Sequence, residues 1–269
     1  MNLYEMTDLI GVMTDDLGHT KVPLRLLMHS INGTQDMIAQ RIEDQEEDLF
    51  AVATTITPSS SGVTLPVDFL RVRDLSYNGT PIELIQPAQR HAFEASTATW
   101  AGGYSGVYYA YLRGSKIYFA SGMSSSCDFV YSRRLPKLHR ATVSAATSTT
   151  VTLPAEALIG SVETSDDYYN NATIKVLSGT GVGEEHVFSD YVGSTRVGTT
   201  DAWTATPTSA SVYEIKCELP TSPDFHTLLC EIVASKFGKK KSGDSELRDL
   251  DTKLGQLSSR NSQNPMMII

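Results

Sequence analysis

The chain has 269 residues, 41% of them hydrophobic and 20% charged, which is ordinary for a soluble globular protein and enough for one large domain or two modest ones. Its 22 basic and 31 acidic residues leave a formal charge of −9. That balance argues against a dedicated nucleic-acid binder, which usually shows a basic face, while suiting a surface past which DNA slides without sticking. No apolar stretch approaches a membrane span, and the acidic start Met1–Glu5 lacks a signal-peptide pattern, so synthesis and assembly in a cytoplasm are expected. Cys127, Cys217 and Cys230 form no close pair, which disfavours a disulfide framework or a CxxC zinc site.

Four regions separate by pattern. In the first, Leu3, Met6, Leu9, Ile10, Met13 and Leu17 recur at helical spacing, with Gly18 as the expected stop. A second periodic run follows Pro23, from Leu24 through Leu27, Ile31, Ile38 and Ile42 to Leu49. Asn32-Gly33 predicts a kink or break within it.

Residues 51–140 read as β. Thr54 to Thr57, Val63 to Leu65, Phe69 to Tyr77, Pro81 to Ile85, Val107 to Leu112, Lys116 to Ala120 and Cys127 to Ser132 are the expected strands. Asn78-Gly79 is the strongest hairpin signal, and Arg113-Gly114-Ser115 suggests a second hairpin. Residues 87–104 predict a short helix and a loop.

From about 141 to 218 the composition shifts to Thr, Ser, Val and Gly. Short strands are expected at Thr149 to Leu153, Ala172 to Leu177, His186 to Tyr191, Thr195 to Thr200 and Ser211 to Lys216. Their spacing suits a small β-barrel or sandwich inserted into a parent domain. Helix returns at Ser222-Pro223-Asp224, with Pro at the first helical position. Phe225, Leu228, Leu229, Ile232, Val233 and Phe237 then share one face up to Gly238. A further helix should carry Leu247, Leu250, Leu254 and Leu257, followed by a polar, flexible tether over 258–264 and the apolar end Met266, Met267, Ile268 and Ile269.

Catalytic chemistry finds no candidate. Gly179-Thr180-Gly181-Val182-Gly183 lacks both dinucleotide and phosphate-loop spacing and reads as a tight turn. The six histidines are scattered, with no HExxH and no nucleophile elbow. The acidic pairs Asp166-Asp167 and Glu184-Glu185 have ordinary turn and surface explanations. The chain is therefore expected not to be an enzyme, with no catalytic residue, no metal and no cofactor.

Two basic clusters remain. Arg133, Arg134, Lys137, His139 and Arg140 surround the entry to the 141–218 segment, and Lys236, Lys239, Lys240 and Lys241 follow the last long helix face. They read either as solvated linkers or as contacts to an acidic partner or to passing DNA phosphates; Arg133, Arg134, Lys137, Lys239, Lys240 and Lys241 are the candidates for such contact.

Several segments carry a resemblance. Leu27-Met28-His29-Ser30-Ile31-Asn32 lies in an N-terminal helical pair, and Leu65-Pro66-Val67-Asp68-Phe69-Leu70-Arg71 precedes a strand and hairpin. Tyr111 to Phe119 pairs in pattern with Phe129 to Pro136, ending in a Tyr-x-x-x-Leu-Pro exit, and Leu219-Pro220 leads toward Phe225-His226. In these the chain resembles the head-to-tail adaptor proteins of tailed bacteriophages, also called connector or head-completion proteins. The segment from Ser178 through Trp203 to Ile215 is similar to small β-modules of phage virion proteins.

The resemblance implies an α+β fold: a helical bundle of N- and C-terminal helices, β-hairpins, and an inserted β-domain. The adaptor core would then be 1–140 with 219–269, and the insertion 141–218. It implies a homo-oligomeric ring, twelve subunits to match the portal, in the virion neck between capsid and tail. Portal protein, tail or neck proteins, and packaged DNA passing without sequence-specific binding are the partners it implies, with no membrane. Met266, Met267, Ile268 and Ile269 are the expected portal anchor. A tail-tube or fibre-attachment protein, or a carbohydrate-binding virion protein using the β-rich segment, is the alternative.

Overall fold

The computed structural model describes residues 1–44, 49–89, 108–119, 123, 125–221, 224–238, 248, 251–253 and 255. Among them the fold is mixed α/β and mostly β, with fifteen strands and three long helices. It divides into two compact units, 1–47 with 135–269, and 48–134.

In the first unit, α1 (Leu3–Thr14) opens with a capping box: Asn2 accepts the Glu5 amide while Glu5 takes the Asn2 amide. It ends four residues before Gly18, because Asp15 adopts the left-handed conformation (φ 53°) that closes a helix. α2 (Leu24–Glu43) runs unbroken through Asn32-Gly33, correcting the expected kink. Its buried positions Leu27, Ile31, Ile38 and Ile42 keep one face packed across that point, and the Asn32 side chain turns outward to accept the Leu138 amide at 2.8 Å. Packing overrides the local turn preference. A Cβ at Gly33 would meet no atom within 4 Å, so Gly33→Ala is expected to raise stability by about 0.5–1 kcal/mol in a urea melt, through helix propensity alone.

α3 (Phe225–Phe237) is capped by Asp224, which accepts the His226 and Thr227 amides. Asp224 is itself the cap, so the helix begins after Pro223 rather than on it. α3 packs on both α1 and α2, and the Lys236 ammonium donates to Thr34 Oγ1 at 2.8 Å. The first two helices and α3 therefore pack together, but three helices beside fifteen strands do not make the expected helical bundle the organising element. The stripe Leu247 to Leu257 and the tether lie mostly or wholly outside the described residues; 251–253 are helical.

Residues 140–215 form two four-stranded sheets. One runs β13 (Asp190–Val192), β14 (Val197–Thr199), β10 (Thr150–Thr152), β9 (Ala145–Ala146); the other runs β12 (Glu185–Val187), β11 (Thr173–Ser178), β15 (Val212–Ile215), β8 (Arg140–Thr142). They share one core, drawn entirely from residues 141–215 and centred on Tyr169, Phe188, Tyr191 and Tyr213. Tyr169 and Tyr191 meet edge to face at 4.8 Å, and each such side chain contributes roughly 1.5–3 kcal/mol by burial. The entry and exit of this segment are adjacent, since Arg140 pairs with Glu214. The single strand expected over His186 to Tyr191 is two strands in different sheets. Burial alternates to Phe188 and then slips at Ser189-Asp190, where the chain crosses from one sheet to the other.

The second unit is one seven-stranded sheet in the order β1 (Ala51–Ile56), β7 (Cys127–Arg133), β3 (Phe69–Tyr77), β4 (Thr80–Leu84), β5 (Tyr108–Arg113), β6 (Lys116–Phe119), β2 (Val63–Thr64). Asn78 and Gly79 (φ 50° and 76°) close the β3–β4 hairpin as a type I′ turn demands. β5 runs parallel to β4. Phe129, Tyr131 and Leu75 are buried in its core. Pro87–Gln89 is a single 3-10 turn, and the rest of the expected 87–104 helix and loop lies outside the described residues.

Candidate interaction surfaces

The first basic cluster begins at the exit from β7. The Arg133 amide donates to Phe50 O at 3.0 Å and the Arg134 amide to Asp68 O at 2.6 Å, which leaves the Arg134 side chain exposed. Leu135 to Leu138 are then tied to α2: Gln35 Nε2 donates to Pro136 O at 3.0 Å and the Leu138 amide to Asn32. Lys137 is exposed but engaged. Its ammonium binds the Glu163 carboxylate and lies over the Tyr168 ring, and the bond to Glu163 holds its pKa above the ordinary lysine value. Arg133 and Arg134 belong to one unit and Lys137 to the other.

His139 does not belong to this surface at all. It is fully buried, with Nε2 3.0 Å from Tyr213 OH and Nδ1 3.3 Å from Tyr169 OH. Burial disfavours its charged form and lowers its pKa to about 3. The Arg140 guanidinium sits over the Tyr4 ring at 5.5 Å. Lys239, Lys240, Lys241, Met266, Met267, Ile268 and Ile269 lie outside the described residues.

The α1–α2 corner exposes two members of the apolar period, Met13 and Leu17, beside two apolar residues outside it, Val12 and Leu26. Leu17 is 65% exposed and Val12 62%, with Met13 and Leu26 also open to solvent. The corner is held by Asp16, whose carboxylate accepts the amides of Thr20, Lys21 and Val22 at 2.8–3.0 Å. Burial alone would raise this carboxyl's pKa, but the amide donors outweigh it and lower it to about 2. These bonds fix the backbone from which the exposed apolar side chains project. Beside it, Leu24, Met28, Leu158 and Ile159 line a groove of about 430 Å³ with Arg25 and His29 at its edge.

All three cysteines are free and buried, and burial pushes the Cys217 and Cys230 thiols up to about 12. Among the described residues no group of three or more His, Cys, Asp or Glu is placed to hold a metal ion. The glycine-rich run is the β11–β12 turn, with Gly179, Gly181 and Gly183 at φ 85°, 81° and 87°. Asp166 and Asp167 are spent on the Gly193 amide and the Asn170 side chain. One constellation has no sequence signature: His186, which sits between Glu184 and Asp201 against Trp203.

The family model described as SU10 adaptor protein matches residues 1–164. The chain belongs to the SU10 adaptor protein family. This makes it a phage adaptor, a structural component of the virion that interacts with other virion proteins. A comparison with curated proteins found no match. In this adaptor the matched residues take in α1, α2, the whole seven-stranded sheet and β8–β10, and stop before β11. The exposed α1–α2 corner and the basic exit from β7 both fall within them. No helix among the described residues is long and apolar enough to cross a membrane.

Proposed function

We propose that this adaptor is a non-enzymatic subunit of a ring bound beneath the portal, in the neck between capsid and tail. The ring, of twelve subunits to match the portal, extends the DNA channel and offers the tail its docking surface. The observation that carries this reading is the family match across both N-terminal helices and the complete seven-stranded sheet. Ring closure is a head-to-tail contact and needs two different complementary faces on each subunit. The firm apolar corner at Val12, Met13 and Leu17 is suited to be one of them. The charge of −9 suits a channel wall that DNA passes without adhering, and assembly takes place in the host cytoplasm. Buried thiols and engaged carboxylates are consistent with a purely structural role. Images of purified virions test it: a ring of this subunit between portal and tail is expected, and its location in the tail tube or fibres would overturn the reading.

The C-terminal end supplies the portal contact. Met266, Met267, Ile268 and Ile269 place four apolar side chains beyond the polar stretch 258–264. Each would contribute on the order of 1.5–3 kcal/mol when buried in a groove, before ordering costs, and methionine adapts to irregular grooves. Removing 265–269 is expected to reduce assembly on purified portal at least tenfold, the equivalent of about 1.4 kcal/mol. Undiminished assembly of the truncated chain would exclude this anchor.

A further inference from the structure

Between β14 and β15, residues 200–211 run as a strap without strand pairing. Its backbone is anchored where the Thr200 amide donates to Thr149 O and the Trp203 amide to Ser148 O, both at 2.8 Å, and two side chains from the β11–β12 hairpin hold it further. Glu184 accepts the Thr204 amide at 2.9 Å with Oε2 and the Ala205 amide at 2.8 Å with Oε1. His186, only 9% exposed, has Nδ1 2.5 Å from Asp201 Oδ1 on the strap and Nε2 3.2 Å from Glu184 Oε2. Its ring lies 4.0 Å from that of Trp203, which is 6% exposed on the same strap.

Ionised carboxylates only accept hydrogen bonds, so a ring with a carboxylate on each nitrogen needs two N–H donors. Neutral imidazole has one; imidazolium has two. We propose that protonated His186 clasps Asp201 of the strap to the β11–β12 hairpin, and that loss of its proton frees Asp201 and loosens the cover over Trp203.

The surrounding charges fit this role. On β11 the residue opposite His186 is Ile174, which is uncharged. Glu185 is taken up by Lys175 and Lys216 at 2.8 and 2.6 Å. Asp201 and Glu184 are thus the charges that bear on the ring. Burial works against the imidazolium, yet the two carboxylates outweigh it and hold the pKa above the usual histidine value. The clasp is therefore closed below the ordinary histidine value and opens as pH rises through that raised value. It stands independently of any ring.

Trp203 reports the event. The only other tryptophan is Trp100, so the full chain carrying Trp100→Phe isolates its emission. Between about pH 6 and 9 the emission should shift to the red, with a midpoint above about 6.5 that matches the His186 ring titration followed by NMR. Asp201→Asn should move the midpoint down, and His186→Gln should remove the transition. Should His186→Gln fail to fold, the Asp201→Asn shift decides alone. Emission that ignores pH across this range, or a midpoint that Asp201→Asn leaves in place, would overturn the clasp.

Discussion

Replacing Gly193 with alanine is expected to destabilise the two-sheet unit by about 3 kcal/mol, at the upper end of ordinary overpacking. A Cβ at this position would lie 2.2 Å from the Thr164 carbonyl oxygen and 2.6 Å from the Ser165 carbonyl carbon. Both are backbone, so no rotamer change relieves the clash. The 163–167 backbone is also pinned against β13 by three bonds that resist its retreat. The Gly193 amide donates to Asp166 Oδ1 at 2.7 Å, the Asp167 amide to Tyr191 O at 2.8 Å, and Tyr191 OH to Glu163 O at 2.7 Å. Gly183→Ala is the companion measurement. Its φ of 87° carries strain, but a Cβ there meets nothing within 4 Å, so it should cost only about 1 kcal/mol. Urea melts followed by circular dichroism separate the two, and a Gly193→Ala melt that overlays the parent protein would mean that the 163–167 backbone yields freely.

How much of this could be read in advance depended on how far apart the cooperating residues lie. β3 was legible to its ends because Asn78-Gly79 fixes its exit and Pro66 lies just before its start, both local signals. The Phe225 to Val233 face of α3 was legible for the same local reason. α2 was misread at Asn32-Gly33 because packing of its buried face, Leu27, Ile31, Ile38 and Ile42, carries the helix through, while the Asn32 side chain that would cap a break is taken by the Leu138 amide, far along the chain. α1 was carried too far because Leu17 continues the apolar period, although Asp15 has already turned the chain. Surface assignments suffered most. The charge of Lys137 is met by Glu163, and His186 pairs with Asp201, contacts that no local spacing announces. His139 looked basic in a run of Arg and Lys, but its environment is set by Tyr169 and Tyr213, thirty and seventy-four residues away.

That placement of His139 makes the stability of its unit fall with acid well before most carboxylates titrate. The unfolded chain binds the proton at the ordinary pKa of 6.5, whereas the folded chain holds it off until about 3. A histidine with a depressed folded pKa contributes its full stability above pH 6.5 and loses it as pH falls toward 3. By pH 5 the loss should be about 2 kcal/mol, and across the whole window on the order of 4 kcal/mol. His186 opposes this. Its raised pKa gives stability that is present at low pH and fades only on the alkaline side. The buried Glu214, its pKa raised by burial, also opposes the loss at the acidic end. Asp16, Glu185 and Asp224, with lowered pKa values, keep their contributions through pH 5. His226, buried with its pKa lowered by that burial, adds a loss of the same sign, so the interval from about pH 6.5 to 5 belongs to the two buried histidines, His139 having the larger depression. His139→Leu removes the titrating group at a cost, since Tyr213 OH loses its ring-nitrogen partner in the core; at pH 7.5 it should be about 2–4 kcal/mol less stable. Yet between pH 6.5 and 5 its urea-melt stability should fall clearly less than that of the parent protein, the remaining slope being that of His226. If the two profiles run parallel through that interval, the buried imidazole is not what makes the unit acid-labile.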